Sequence, residues 1–360
     1  MYIQQNSDLL FLFEAVLTNP NGDPDQENKP RMDYETSTLL VSDARRKRDC
    51  RDYLKNKGYS IFVDTLADRK VPAEKMFEAI RDQWLSDRTL MHQLLEENPE
   101  IRKAWEAIAG EETINYKETF EKCKNDKKPK QYIADFNNLF ITEAIKRSLI
   151  DIRLFGNAMA VENVSRTFTG PIQLTWGYSL HPVELVQSNT ITSIMNEDNS
   201  TFGKKHKVHY ALVAHYGTIN KFSAKLTGMN EEDRDIFRKS IVQGMMTNQT
   251  DSKQGQTPMC YLEIVYSHGF DGYLGDWRRF LQVKTSEEAN ERRPIRSLTD
   301  ITVDFTELSH VIKELKAKGY VEEVIGWIHP FVNSSSLIGL PDFTPIDLWA
   351  PAPVASLKEE

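Results

Sequence analysis

With 360 residues, 40% of them hydrophobic and 27% charged, the chain suits one large or two ordinary domains, and its composition excludes wholesale disorder. No apolar run approaches a membrane span, the first residues lack the basic-then-apolar form of a signal peptide, and three widely spaced cysteines (Cys50, Cys123, Cys260) offer neither a disulfide framework nor a zinc site. The expected setting is the reducing cytoplasm with no membrane partner, and a net charge of −8 excludes a protein coated in positive charge while leaving room for one basic face.

Residues 8–17 are predicted to form a strand. It feeds a loop punctuated by Pro20, Gly22, Pro24 and Pro30, whose Asn, Asp and Gly residues tolerate tight or left-handed turns. A helix is predicted next, capped by the Ser42 hydroxyl and ended by Gly58. Between Ala44 and Gly58 stand seven bases and two acids, a local net charge of +5. Arg45, Arg48, Arg51 and Lys55 share one helix face, while Cys50, Tyr53 and Leu54 point toward a core. A solvated face relieved by ion pairs is the bland explanation of such a stripe. The loop that precedes the helix favours an anionic partner instead.

Ile61-Phe62-Val63 begins a short second strand. From about 65 to 148 the pattern turns helical, with helices at 73–95, 99–109 and 135–149 and a polar connection over 110–131. Strands resume at 150–156, where Ile150, Ile152 and Leu154 alternate with Asp151, Arg153 and Phe155, and again at 171–178. A polar stretch, 187–207, ends in Lys204, Lys205 and Lys207. A strand at 208–216, a helix at 231–246, a strand at 259–266, a helix at 307–318 and a Pro-rich tail follow. Without the helical insertion, the order is that of an α+β, ferredoxin-like or RRM-type βαββαβ domain, whose exposed sheet face commonly carries single-stranded RNA.

Three groups of residues match a known family: Asn19-Pro20-Asn21-Gly22-Asp23-Pro24-Asp25, then Pro30-Arg31-Met32-Asp33, then Leu40-Val41-Ser42-Asp43-Ala44-Arg45-Arg46-Lys47-Arg48 with Arg51-Asp52-Tyr53. Together with Asp151 to Gly156, Gly170 to Gln173 and Ser179 to Glu184, they resemble the crRNA-binding backbone subunit of type I CRISPR Cascade complexes. This is the DevR-like branch of the RAMP superfamily, nearest its type I-B and I-C members. The resemblance implies an RRM-like palm over 1–64 and 149–300, a helical fingers insertion over 65–148 and a thumb hairpin about 187–207. Residues 301–360 would pack on the palm as a helix, a strand and a Pro-rich tail. It also implies a filament of neighbouring copies along one crRNA, other Cascade subunits, target DNA paired through the guide, and a nuclease-helicase recruited indirectly.

A guide-holding protein binds phosphates rather than base edges. The expected RNA-binding residues are Asn19, Asn21 and Gly22 in the loop, Arg31 ahead of the helix, and Ser42, Arg45, Arg46, Arg48 and Arg51 on it. Arg153, Arg166, Gln173, Lys204, Lys205 and Lys207 complete the set, and Met195 or Phe202 suits a wedge between bases. No catalytic residue, cofactor or metal is expected. The scattered histidines (His206, His209, His215) lack an acidic third ligand, and no phosphate-cradling glycine motif is present. The acidic loop does not fit a calcium site either, since aligning Gly22 puts Leu17 at the first ligand position. The enzymatic rival is a type III-like subunit cleaving target RNA with Asp23, Asp25, Asp33 or Asp43 and a divalent metal. A freestanding RNA-binding protein is the third class.

Overall fold

In the computed structural model, the described residues are 1–62, 73–110, 113–125, 130–161, 164–196, 199–285 and 294–355. The chain is a mixed α+β protein built on one large sheet. The strand Ser7–Thr18 lies at its centre, antiparallel to Val208–Ile219 on one side and to Gln256–Tyr266 on the other. Beyond Gln256–Tyr266 come Val321–Ile328 and the short parallel strand Thr344–Pro345; beyond Val208–Ile219 come Gly177–Ser179, Thr38–Val41 and Met32–Asp33. Ile172–Leu174 also pairs with Val208–Ile219, so the predicted strand at 171–178 is broken in two around Thr175-Trp176.

The central strand is apolar on both sides because both faces are covered. Leu9, Phe11 and Phe13 pack with Cys50 and Leu54 of the helix Asp43–Asn56 and with Phe237 and Ile241 of the helix Glu231–Thr247. Those helices cross so closely that a Cβ on Gly244 would stand 2.6 Å from the Asp49 carbonyl oxygen. Leu10 and Leu12, on the opposite face, lie under Trp277, Val303, Phe305 and Ile312 of the chain that follows Gln256–Tyr266. The expectation of an exposed sheet face is therefore corrected: the C-terminal third buries it, and no strand pattern upstream encoded that cover.

The helical insertion has its own core around Trp84, Trp105, Phe120, Phe136 and Phe140. Its elements are Ala73–Ser86, Arg88–Glu97, Pro99–Ala109, Tyr116–Asn125 and Lys130–Ser148. The helix expected over 73–95 is split because Asp87 caps a new start, accepting the Leu90 N–H at 3.0 Å. The polar connection contains the helix Tyr116–Asn125. Ile61 and Phe62 do not form a strand, and Val63 lies outside the described residues.

The strand expected at 150–156 is instead the helix Ile150–Phe155. It sits between two cores, with Ile150 and Leu154 in that of the sheet and Ile152 in that of the insertion. Burial on nearly every side removes the polar face that would have marked a helical period. A hairpin of Gly156–Val161 with Val164–Thr169 follows it, unforeseen in the sequence pattern.

Candidate nucleic-acid interface

The basic helix starts as its sequence dictates. Ser42 Oγ accepts the Arg45 N–H at 3.3 Å, and Asn21 Oδ1 accepts the Ser42 N–H at 2.8 Å, which ties the loop to the helix N-terminus. Cys50, Tyr53 and Leu54 are buried as the periodicity required. Much of the positive charge is met along the helix, where Arg45 pairs with Asp49, Lys47 with Asp43 at 3.1 Å, and Arg48 with Asp52.

Three arginines expected at phosphate are drawn inward. Arg46 is 1% exposed, lies over the Phe13 ring at 4.8 Å, and reaches Gln256 at 3.2 Å and Asp49 at 2.9 Å. Arg51 donates to Asp151 at 3.0 Å, and that fully buried carboxylate also accepts the Phe62 N–H at 2.8 Å. Arg153 forks onto Asp233 with two bonds of 2.9 Å and donates to the Lys146 and Arg147 carbonyls, at the C-terminus of the helix Lys130–Ser148. Arg51 and Arg153 thus fasten the insertion to the sheet's helices. Carboxylates distant in sequence occupy the donors of both.

The loop is closed by its own side chains. Gly22–Asp23 pairs with Lys29–Pro30, and a Cβ on Gly22 would fall 1.9 Å from Asn28 Oδ1, so any larger residue there would displace the Asn28 side chain. Glu27 and Asn28 take positive φ of 53° and 58° at the turn. Asn19 is buried and donates to the Asn28 carbonyl at 2.8 Å. Arg31 stands 3.3 Å from Asp23 and is partly exposed. Asp33 caps the next turn through the Glu35 N–H and the Thr36 hydroxyl, and Asp43 holds Lys47. The loop carboxylates Asp23, Asp33 and Asp43 thus shape turns or balance bases.

Residues 187–207 contain a two-stranded hairpin, Thr190–Asn196 with Asn199–Lys204, which forms a sheet of its own. At its base Lys204 pairs with Glu27 at 3.2 Å and Lys205 with Asp251 at 2.8 Å, all four side chains being exposed. The Lys207 charge also acts on Asp251. The base of the hairpin thereby meets the 19–33 loop at Glu27 and the turn after the helix Glu231–Thr247 at Asp251. The side chains of Met195, Phe202 and Arg166 lie outside the described residues; the Arg166 backbone belongs to Val164–Thr169. Gln173 is exposed and donates to the Gly170 carbonyl at 2.8 Å.

One segment escaped the sequence reading. The turn after the helix Glu231–Thr247 lies against the loop, with the Asn19 N–H on the Ser252 carbonyl at 3.0 Å and Lys253 Nζ on the Asn19 and Pro20 carbonyls at 2.6 and 2.9 Å. A single lysine among Thr, Asn, Ser and Gly carries no periodic signal. Among the described residues no group of three His, Cys, Asp or Glu side chains is placed to hold a metal, and none of the helices is long and apolar enough to cross a membrane. His215 is fully buried, and burial then the nearby Arg46 charge bring its pKa down to about 3.

Fold and site together define an α+β protein whose sheet, enlarged by a helical insertion and a projecting hairpin, presents a basic helix whose N-terminus is tied to a tight, acidic loop. The family of the CRISPR-associated protein Cas7 matches residues 5–306, and the chain belongs to that family. A CRISPR-associated protein Cas7 of Haloferax volcanii is 23% identical over 344 residues, covering 89% of this chain and 86% of its own. Among solved structures, a chain titled "CRISPR RNA-guided surveillance complex, pre-nicking" has the same fold, with a TM-score of 0.51, 14% identity and coverage of 96% of this chain and 97% of that one.

Proposed function

We propose that the protein is a backbone subunit of a type I CRISPR surveillance complex. Copies stack head to tail along one crRNA, hold its phosphates without reading sequence, and leave the bases free to pair with target DNA. The observation that carries this reading is the convergence of the capped basic helix, the 19–33 loop and the base of the hairpin. There Lys204 and Lys205 are held only by exposed carboxylates. Exposed pairs of that kind are screened by water and contribute little. Charge-assisted bonds to a phosphate are at least as strong, so an RNA backbone can displace Glu27 and Asp251 from the lysines. Arg31, Arg45, Arg48 and Lys207, with the loop amides, complete the proposed contact set. Arg46, Arg51 and Arg153 support it from behind.

On this reading, Gln256–Tyr266, Ser7–Thr18, Val208–Ile219 and Gly177–Ser179, with the helices Asp43–Asn56 and Glu231–Thr247 on one face, form the RRM-like (ferredoxin-like) palm over 1–64 and 149–300. Residues 65–148 are the fingers, the hairpin about 187–207 is the thumb, and residues 301–360 pack on the palm. Head-to-tail stacking is heterologous and needs other Cascade subunits to cap it. The nuclease-helicase acts on the assembled complex and meets this subunit indirectly. The I-B and I-C members remain the nearest branch by motif. The subunit holds RNA and does not cut it.

Two experiments test the proposal. RNA co-purified from the native host is expected to be a population of repeat-flanked guides; bulk cellular RNA without them would refute the role. With magnesium or manganese, the guide-loaded protein is expected to leave complementary RNA intact. Regularly spaced cuts abolished by Asp33→Ala or Asp43→Ala would establish the cleaving type instead.

A further inference from the structure

The turn of residues 248–255 closes a cationic cluster that contains more positive charge than its one carboxylate answers. Asp49 receives Arg45, Arg46 at 2.9 Å and the Asn248 amide at 2.6 Å, and the Lys253 ammonium feels the charges of Arg45, Arg46 and Asp49. Two of the three Lys253 N–H donors are taken by the Asn19 and Pro20 carbonyls, and the third has no acceptor among the described residues. Arg45 Nε and Arg46 Nε and Nη1 are likewise buried without a hydrogen-bond partner. Buried cationic donors without acceptors are costly unless an anion completes them. Arg45 keeps 18% of its side chain exposed and Lys253 is only partly buried, so the cluster opens to solvent where the loop meets the helix N-terminus.

We infer that Lys253 is a further guide-phosphate ligand, which joins Arg45 in holding one phosphate between the basic helix and the 248–255 turn. The inference rests on the RNA-holding role proposed above and adds to it a third wall, supplied by a segment 233 residues from Pro20 of the loop it touches. Lys253 also positions the loop, since its ammonium fixes the carbonyls that begin it. The charged groups facing it are Arg45, Arg46 and Asp49 of the helix; Asp251, on its own turn, is engaged by Lys205. Burial, and then the charges of Arg45 and Arg46, bring the Lys253 ammonium down to about 7, against the opposing pull of Asp49. A phosphate arriving beside it restores the charged form, so RNA binding takes up a proton above neutral pH.

The test is anisotropy of the full-length protein with a labelled single-stranded RNA of mixed sequence, titrated across salt and across pH. Wild-type affinity is expected to fall by up to about tenfold per pH unit above pH ~7. Lys253→Gln is expected to lose that dependence and to flatten the salt slope by about 0.7. Lys253→Arg, charged throughout, is expected to keep the salt slope and lose the pH dependence. A Lys253→Gln protein with lowered thermal stability but the wild-type salt slope and pH profile would make Lys253 a loop strut only, and overturn the inference while leaving the RNA-holding role intact. A wild-type protein without salt-dependent RNA binding would overturn both.

Discussion

Replacing Arg51 with alanine separates a joint from a ligand. The chain enters the helical insertion past Ser60 and Phe62 and leaves it at Ile150, whose N–H reaches the Ser60 carbonyl at 3.2 Å. Asp151 clasps both crossings, taking Phe62 N–H at 2.8 Å and Arg51 Nε at 3.0 Å while fully buried. Removing one partner of a buried pair costs about 3–5 kcal/mol, because the remaining charge stays out of water. Arg51 keeps 12% of its side chain exposed, which places the loss near the lower end, at about 3 kcal/mol. Its contact with the Phe155 ring, at 5.1 Å, adds about 0.5–1 kcal/mol. Domains are stable by about 5–15 kcal/mol, so the loss is a large fraction of the whole. Urea denaturation followed by circular dichroism is expected to show a lower midpoint for Arg51→Ala, with the RNA salt slope unchanged. The double variant Arg51→Met, Asp151→Asn is expected to recover part of the stability, since no charge is left unpaired. A wild-type midpoint for Arg51→Ala, together with a salt slope flattened by about 0.7, would refute the joint and restore Arg51 as a phosphate ligand.

Arg45→Ala with Arg48→Ala is expected to flatten the salt slope of RNA binding by about 1.4 and to weaken all guide sequences alike, as read by anisotropy; an unchanged slope would leave the stripe a solvated face. Gly244→Ala sets a helix-propensity gain of about 1 kcal/mol against a collision with the Asp49 backbone, where overpacking costs about 1–3 kcal/mol; net destabilisation in urea melts is expected, and a stabilised variant would contradict the crossing. Burial raises the Glu263 carboxyl, but Arg238, bonded at 2.8 and 3.1 Å, outweighs this and holds it at about 2 against 4.5 unfolded. The folded value is the lower one, so this stabilisation, about 3 kcal/mol, is present above pH ~4.5 and is lost as pH falls toward ~2. Glu263→Gln is expected to lower stability at pH 7 and flatten the acid limb between those values. An acid limb equal to that of the wild type would sink the assignment.

Short-range chemistry was legible in the sequence. Ser42 before a basic amphipathic run marked the helix start, Gly22 and its Asn and Asp neighbours marked the tight loop, and the polar stretch ending at Lys207 marked the hairpin region. The family motifs are those same local features: caps, turns and charge, which a chain carries within a few residues of itself. What the periodicity misread was the segment Ile150–Phe155, because a helix wedged between two cores has no polar face left to show.

The chain by itself determined the elements that depend on neighbours in sequence: the capped basic helix, the tight loop around Gly22 and the apolar runs of the central strands. It also carried the +5 concentration of charge on that helix. Only the tertiary structure decided which of those charges face solvent. Arg46 turns inward over Phe13 to Gln256, Arg51 reaches Asp151, 100 residues away, and Arg153 reaches Asp233, 80 residues away. It also decided that the second face of the sheet is covered by the chain around Trp277 and Ile312, and that Lys253 lies beside Asn19. The physical reason is the same in each case. A cation's partner is fixed by distance in space and by the cost of leaving a buried charge unanswered, and neither is written in the spacing of residues along the chain.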